Sequence, residues 1–224
     1  MPSSKQILKQ LLGELLFTVE MYWLLRHRNK PMRSHYNLER LRSMLTAACE
    51  QTRPYLGKAP KGKRVFIFST LHYWIEQTTL TSLVLAGMGH PVTMMYLPYS
   101  NFKRPLDSFD RRRQNIYTRE VLAPTESIFD SLSMLDARPL ARLPDELEQM
   151  VQQLAVLDLQ YTHESEEVDL ASDLYAMRLG RNRFAAQASL AWLQANQPDV
   201  VVIPNGTILE LGVEIGRASC RERV

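Results

Sequence analysis

The sequence predicts an α/β fold, a parallel sheet with flanking helices preceded by an amphipathic helical segment. Three observations carry this. Arg64-Val65-Phe66-Ile67-Phe68-Ser69 is a short, almost unbroken β-branched and aromatic run, the pattern of a parallel strand covered on both faces. A helix-length segment, 78–88, separates it from a second apolar run, 91–97, and strand–helix–strand at this spacing is a βαβ unit. A third run, 200–203, follows a long helical stretch and leads into the turn Pro204-Asn205-Gly206.

Taken in chain order, 5–26 has helical period, with Leu8, Leu11, Leu12, Leu15, Leu16, Val19, Tyr22 and Trp23 on one broad stripe. Glu14 and Glu20 interrupt it, and its apolar stretch is shorter than the ~20 residues a membrane span needs. Arg26, Arg28, Lys30, Arg33, Arg40 and Arg42 follow, opposed only by Glu39. Two readings stay open for 5–42: a helix packed on its own domain or on a missing second half, with a solvated basic turn, or peripheral contact with an anionic membrane. Segment 54–63 reads as a linker by its Pro, Gly and Lys, so 1–57 is a helical lead-in and 63–213 the α/β domain.

Within that domain a polar loop is expected after the first strand, and Gly89 closes the 78–88 helix. Residues 108–133 read as mostly helical. Residues 137–143 are a candidate third, short strand, which Pro139 would confine to a sheet edge or demote to loop. Pro144 and the acids after it open a helix to about Tyr161, and 169–196 is another helix, broken near Gly180. Residues 214–224 resemble a translated sequencing adapter and are set apart as non-native.

With 45% apolar and 23% charged residues and a formal net charge of +3, the composition is that of an ordinary globular domain. So mild a balance argues against a dedicated nucleic-acid binder. Cys220 falls in the tail, which leaves Cys49 alone; no disulfide framework is expected, and a reducing, cytoplasmic compartment fits. No cleavable signal-peptide pattern stands at the N-terminus. Peripheral attachment at the inner membrane face goes with the second reading of 5–42.

Ligands of open α/β sheets sit at the carboxyl ends of the strands. The candidates there are Thr70, His72, Tyr73, Trp74 and Glu76 after the first strand, and Tyr99, Ser100, Asn101, Lys103 and Arg104 after the second. Asn205, Gly206, Thr207 and Glu210 follow the last strand. His72 or Glu76 could act as a general base. Asn205 and the backbone N–H groups around Gly206 could hold a phosphate or sugar oxygen, and Glu210 could bond a sugar hydroxyl. Each also has a plain structural reading: a hydrogen-bonded His72, a helix-capping Glu76, a simple Asn205-Gly206 turn, and Glu210 favouring a helix start.

Other motifs exclude functions. Gly87-Met88-Gly89 ends a helix, unlike a dinucleotide fingerprint, and no Walker loop or Gly-x-Ser-x-Gly elbow is present. His163-Glu164-Ser165-Glu166-Glu167 lacks metal-ligand spacing, so no metal is expected. Arg111-Arg112-Arg113 reads as a solvated helix face.

The run 63–70, then Glu76 and the helix into Gly87-Met88-Gly89-His90-Pro91-Val92, resembles the opening β-α-β unit of GT-B glycosyltransferases. Residues 198–206, with Glu210 and Gly212 beyond, are similar to a segment of bacterial capsule and surface-polysaccharide transferases. The resemblance implies a Rossmann-like first domain that handles the acceptor, with His72 or Glu76 as base and Thr70, Asn205, Gly206 and Glu210 as substrate-binding residues. It implies metal-independent transfer from a nucleotide-sugar to a carbohydrate or lipid-linked acceptor, without a cofactor. The donor would be bound by a second domain, which is not among these residues, so a truncated chain inactive by itself is expected. Two rivals remain: a nucleotide-sugar epimerase of similar build, and a non-catalytic α/β module docking on membrane or partner.

Overall fold

Four parallel strands, β1 (Val65–Thr70), β2 (Val92–Leu97), β3 (Asp130–Ser133) and β4 (Val200–Val202), form one sheet in the order β3-β2-β1-β4. The computed structural model describes residues 4–26, 35–99, 105–164, 166–205 and 210. The helices are α1 (Ser4–Glu14), α2 (Thr18–Arg26), α3 (Glu39–Thr52), α4 (His72–Gly87), α5 (Ser108–Leu122), α6 (Asp145–His163) and α7 (Asp173–Asn196). The result is a Rossmann-like α/β architecture.

All six residues of β1 are buried, which explains why its sequence does not alternate. It pairs with β2 from Val65↔Val92 to Thr70↔Leu97 and with β4 from Val65↔Val200 to Ile67↔Val202. Val65, Ile67, Met94 and Tyr96 face a core built with Leu41 and Leu45 of α3, Ile75 and Leu83 of α4, and Val121 of α5. Phe66, Phe68, Met95 and Leu97 point the other way, onto Val151 of α6 and Ala185, Ala186 and Ala188 of α7. The small residues of α7 let it lie close to the sheet, and Trp192 stacks on Phe66 with ring centroids 4.6 Å apart. Helix α3 is therefore part of the sheet's covering layer.

Several expectations are corrected. Of the two readings of 137–143 the loop holds: the segment is irregular, and the strand that pairs with β2 is Asp130–Ser133, within the stretch expected to be mostly helical. As an edge strand with one neighbour, β3 is specified by that pairing more than by β propensity. The polar loop after β1 does not exist, because α4 starts at His72, directly after Leu71. Its buried stripe is Ile75, Thr78, Thr79, Ser82, Leu83 and Ala86, and the hydroxyls disguise it. They are satisfied internally: Thr79 donates to the Ile75 carbonyl at 2.7 Å and Ser82 to that of Thr78 at 2.8 Å.

The single helix expected over 5–26 is two helices, turned at Phe17 with φ 62°. Both lie against α5, where Val19 and Trp23 are buried and the Trp23 Nε1 donates to Glu120 at 2.5 Å. Packing two faces on one support outweighs the continuity of the helix. Nor is Arg112 solvated: it donates at 2.7 Å to the Gly13 and Leu15 carbonyls and pairs with Glu20 at 2.5 Å. Helix α7 runs unbroken through Gly180. No described helix is long and apolar enough to cross a membrane.

Candidate functional site

The strand order reverses direction beside β1: chain connections lead outward through β2 to β3, then return to β4 on the other flank. A crevice forms at the carboxyl ends of the strands at such a switch point. The segments entering it are the β1–α4 junction and the residues after β4.

At the first, Thr70 is fully buried and donates its hydroxyl to the Leu97 carbonyl at 3.2 Å, tying the ends of β1 and β2 together. Leu71 then adopts φ 61° and ψ 154°, a conformation costly for a side-chain-bearing residue. Its carbonyl accepts from the Ile75 N–H at 3.0 Å, so the strained residue is what turns the chain straight from strand into helix. His72 is thereby the first residue of α4. Its ring packs edge-on to Tyr36 at 6.4 Å and to Tyr73 at 5.3 Å. Its Nδ1 is buried and has no hydrogen-bond partner. Burial pulls the imidazole below its ordinary value, opposed by the Glu76 carboxylate one helical turn on. His72 is thus neutral at pH 7, the form that accepts a proton.

The opposite wall is polar and had no clear mark in the sequence. Helix α7 returns antiparallel to the strands, so its N-terminal half lies at their carboxyl ends. There the inward stripe is Arg178, Arg181 and Asn182, where further along it is Ala185, Ala186 and Ser189. Arg178 is buried and pairs with Asp158 of α6 at 2.5 Å and with Glu210 at 3.7 Å. Arg181 stacks over the Tyr99 ring at 4.2 Å. Burial, with Glu210 adding, pushes the Tyr99 phenol up to about 12, so it remains a donor at neutral pH. Asn182 is fully buried, and neither end of its amide has a hydrogen-bond partner. The signal that could have found this wall is the polarity of 178, 181 and 182 at core spacing on an otherwise apolar stripe.

The expected residues divide between layers. His72 and Glu76 belong to the α3/α4 side, and Glu210 is held by Arg178 on the α6/α7 side. Asn205, half-buried, is the last residue described after β4 before Glu210, and Gly206 and Thr207 lie outside the described residues. The same holds for Ser100, Asn101, Lys103 and Arg104, and for 214–224. Among the described residues no cluster of three or more His, Cys, Asp or Glu is placed to hold a metal ion.

A cavity of about 420 Å³ opens at the other edge of the sheet, lined among others by Arg64, Glu126, Asp130, Trp192 and Asn196. It touches the amino ends of β1, β2 and β3, where Arg64 meets Asp199 in an exposed pair at 3.2 Å. The carboxyl edge is the better site: it has the strained turn, the helix start and the buried unpaired polar atoms.

Fold and site together define a Rossmann-like α/β domain with buried polar groups at the carboxyl ends of its strands, beside the switch point. Compared with known proteins, the chain matches no family model, no curated protein and no solved structure.

Proposed function

We propose that this domain is the acceptor side of a GT-B glycosyltransferase acting in cell-surface polysaccharide or glycolipid synthesis. The observation that carries the reading is His72: a neutral imidazole at the carboxyl end of β1, with Nδ1 buried and unpartnered, beside the switch point. In the proposed reaction the acceptor hydroxyl loses its proton to His72. Its oxygen bonds the anomeric carbon of the sugar as the nucleoside diphosphate leaves. Glu76, which favours the protonated imidazole, stabilises the imidazolium that results. The opposite wall supplies donors of fixed position, the Tyr99 hydroxyl and the Asn182 amide, suited to sugar hydroxyls. Its charges largely compensate one another through Arg178, Asp158 and Glu210. That suits a neutral sugar better than a polyanion.

The test is an NMR titration of the isotope-labelled chain with free and lipid-linked oligosaccharides. Acceptor binding should move the His72 imidazole resonances, and Asn182→Ala should weaken it about three- to ten-fold, the worth of one neutral hydrogen bond. If no oligosaccharide binds, or one binds without moving His72, the reading fails.

A further inference from the structure

Helices α1 and α2 are apolar on two opposite sides. Toward α5 they bury Val19 and Trp23 and seat Gly13. Helical periodicity puts Ile7, Leu8, Leu11 and Leu15 of α1, and Met21, Leu24 and Leu25 of α2, on the side away from α5. Each of these, with Leu16 and Phe17 at the turn, is at least half exposed, Leu16 reaching 79% and Leu25 74%. A helix that is apolar all round belongs inside a core, so this outer side is built to be covered.

The acids Glu14 and Glu20 stand at the rim of the face and are already engaged within the chain. Glu14 accepts from the Gln10 Nε2 at 2.7 Å, and Glu20 pairs with Arg112 at 2.5 Å. A hydrocarbon centre with a polar rim is the anatomy of a protein–protein interface. Carboxylates at that rim are unfavourable beside anionic headgroups, so an anionic lipid surface is the poorer cover. A large apolar side chain exposes roughly 200 Å² when free, so these nine, at half exposure or more, offer on the order of 900 Å². A standard-size interface takes about 800 Å² from each partner. The face is therefore large enough for a stable dimer. Apolar at its centre, it meets its own copy across a two-fold axis with hydrocarbon on hydrocarbon and no like charges opposed.

We infer that the outer face of α1 and α2 is the interface of a two-fold dimer of this chain, with Leu16 and Phe17 of each copy inside it. The face is held from behind by the start of α5: Lys9 pairs with Asp110 at 2.7 Å, and Ser108 donates to the Gln10 carbonyl at 3.3 Å. Because α5 starts at the carboxyl edge of the sheet, the turn between α1 and α2, and with it the second copy, borders the edge that carries His72. The proposal does not rest on the transferase reading, since self-association is measured without any sugar.

The experiment is sedimentation equilibrium of the chain from about 1 to 100 μM, where a dimer with a micromolar or tighter Kd is expected. Leu16→Glu and Leu25→Glu, both at exposed sites, should leave the circular dichroism spectrum unchanged. Each should raise the Kd by about 100-fold or more, because the two-fold axis places every substitution in the interface twice. Val84→Glu, at an exposed apolar site on α4, is the control and should leave the Kd unchanged. A monomer throughout that range, a dimer insensitive to both substitutions, or one that Val84→Glu dissociates overturns the proposal. So does a chain that stays monomeric yet sediments with phosphatidylcholine–phosphatidylglycerol vesicles through Leu16, since lipid would then be the cover.

Discussion

Arg178 and Asp158 form an ion pair wholly inside the protein: Nε lies 2.6 Å from Oδ2, and the two side chains are 1% and 0% exposed. The pair joins α7 to α6 beneath the crevice, and Glu210 approaches the same guanidinium at 3.7 Å. Since Glu210 follows β4, Arg178 links the loop after the last strand to the helical layer. A buried pair of this kind adds little net stability over apolar packing, but breaking it leaves a charge stranded. Asp158→Asn or Arg178→Met should therefore each cost about 3–5 kcal/mol, read from denaturant unfolding. The double variant Arg178→Met with Asp158→Leu should recover much of this, short of the full amount because Glu210 still lacks its cation. A double variant as unstable as the sum of the singles would contradict this.

The state of His72 sets a pH dependence. Its folded pKa lies below the ordinary 6.5 because burial disfavours the imidazolium. Between the two values the unfolded chain binds the proton and the folded chain does not, so stability rises with pH. His72's contribution is complete above about 6.5 and is lost as pH falls through the folded value. His72→Gln should flatten the stability–pH curve in this window. Glu76→Gln, which removes the opposing carboxylate, should lower the His72 midpoint further in an NMR titration. A midpoint at or above 6.5 in the parent chain would refute the desolvation account.

Two glycines should respond in opposite directions. At Gly180, mid-helix and exposed, an added Cβ meets nothing within 4 Å. Gly180→Ala should stabilise by about 0.5–1 kcal/mol, the helix-propensity difference. Gly89 has φ +92°, and a Cβ there would stand 2.6 Å from the Pro60 carbonyl oxygen. Gly89→Ala should destabilise by more than about 1 kcal/mol, because the strained backbone and the contact add together. Thermal or denaturant unfolding of the two variants checks both signs.

What the sequence made legible follows from which forces act locally. Strands β1 and β2 are apolar runs because both faces of the sheet are covered there, so pattern and burial agree; β4 has the same pattern, though Val200 is exposed and Val201 and Val202 are half-buried. Strand β3, Asp-Ser-Leu-Ser, carries no such run; only its partner β2 makes it a strand. The start of α4 was hidden because Thr and Ser occupy its inward stripe and Leu71 adopts a backbone state that propensity disfavours. His72 stands at the carboxyl end of β1 as the opening residue of α4 and not in a loop. The polar wall of Arg178, Arg181 and Asn182 lay on a recognised helix, yet its partners Asp158 and Glu210 are 20 and 32 residues from Arg178 along the chain. Such pairing comes from topology and has no local trace.

The seating of α1 on α5 depends on one close approach. A Cβ on Gly13 would fall 2.2 Å from the Phe109 nitrogen and 2.7 Å from the Ser108 carbonyl carbon, backbone atoms that cannot rotate away. Only glycine lets α1 settle on the start of α5, where the Gly13 carbonyl also accepts from Arg112. Gly13→Ala must push α1 outward, at about 1–3 kcal/mol, a typical cost of forcing extra volume into a packed contact. The sheet does not touch this contact, so the loss should be local. Amide hydrogen exchange should speed up in α1 and the first turn of α5 while β1 and β2 keep their protection. Unchanged exchange in α1 would mean that α1 does not rest on α5 through Gly13.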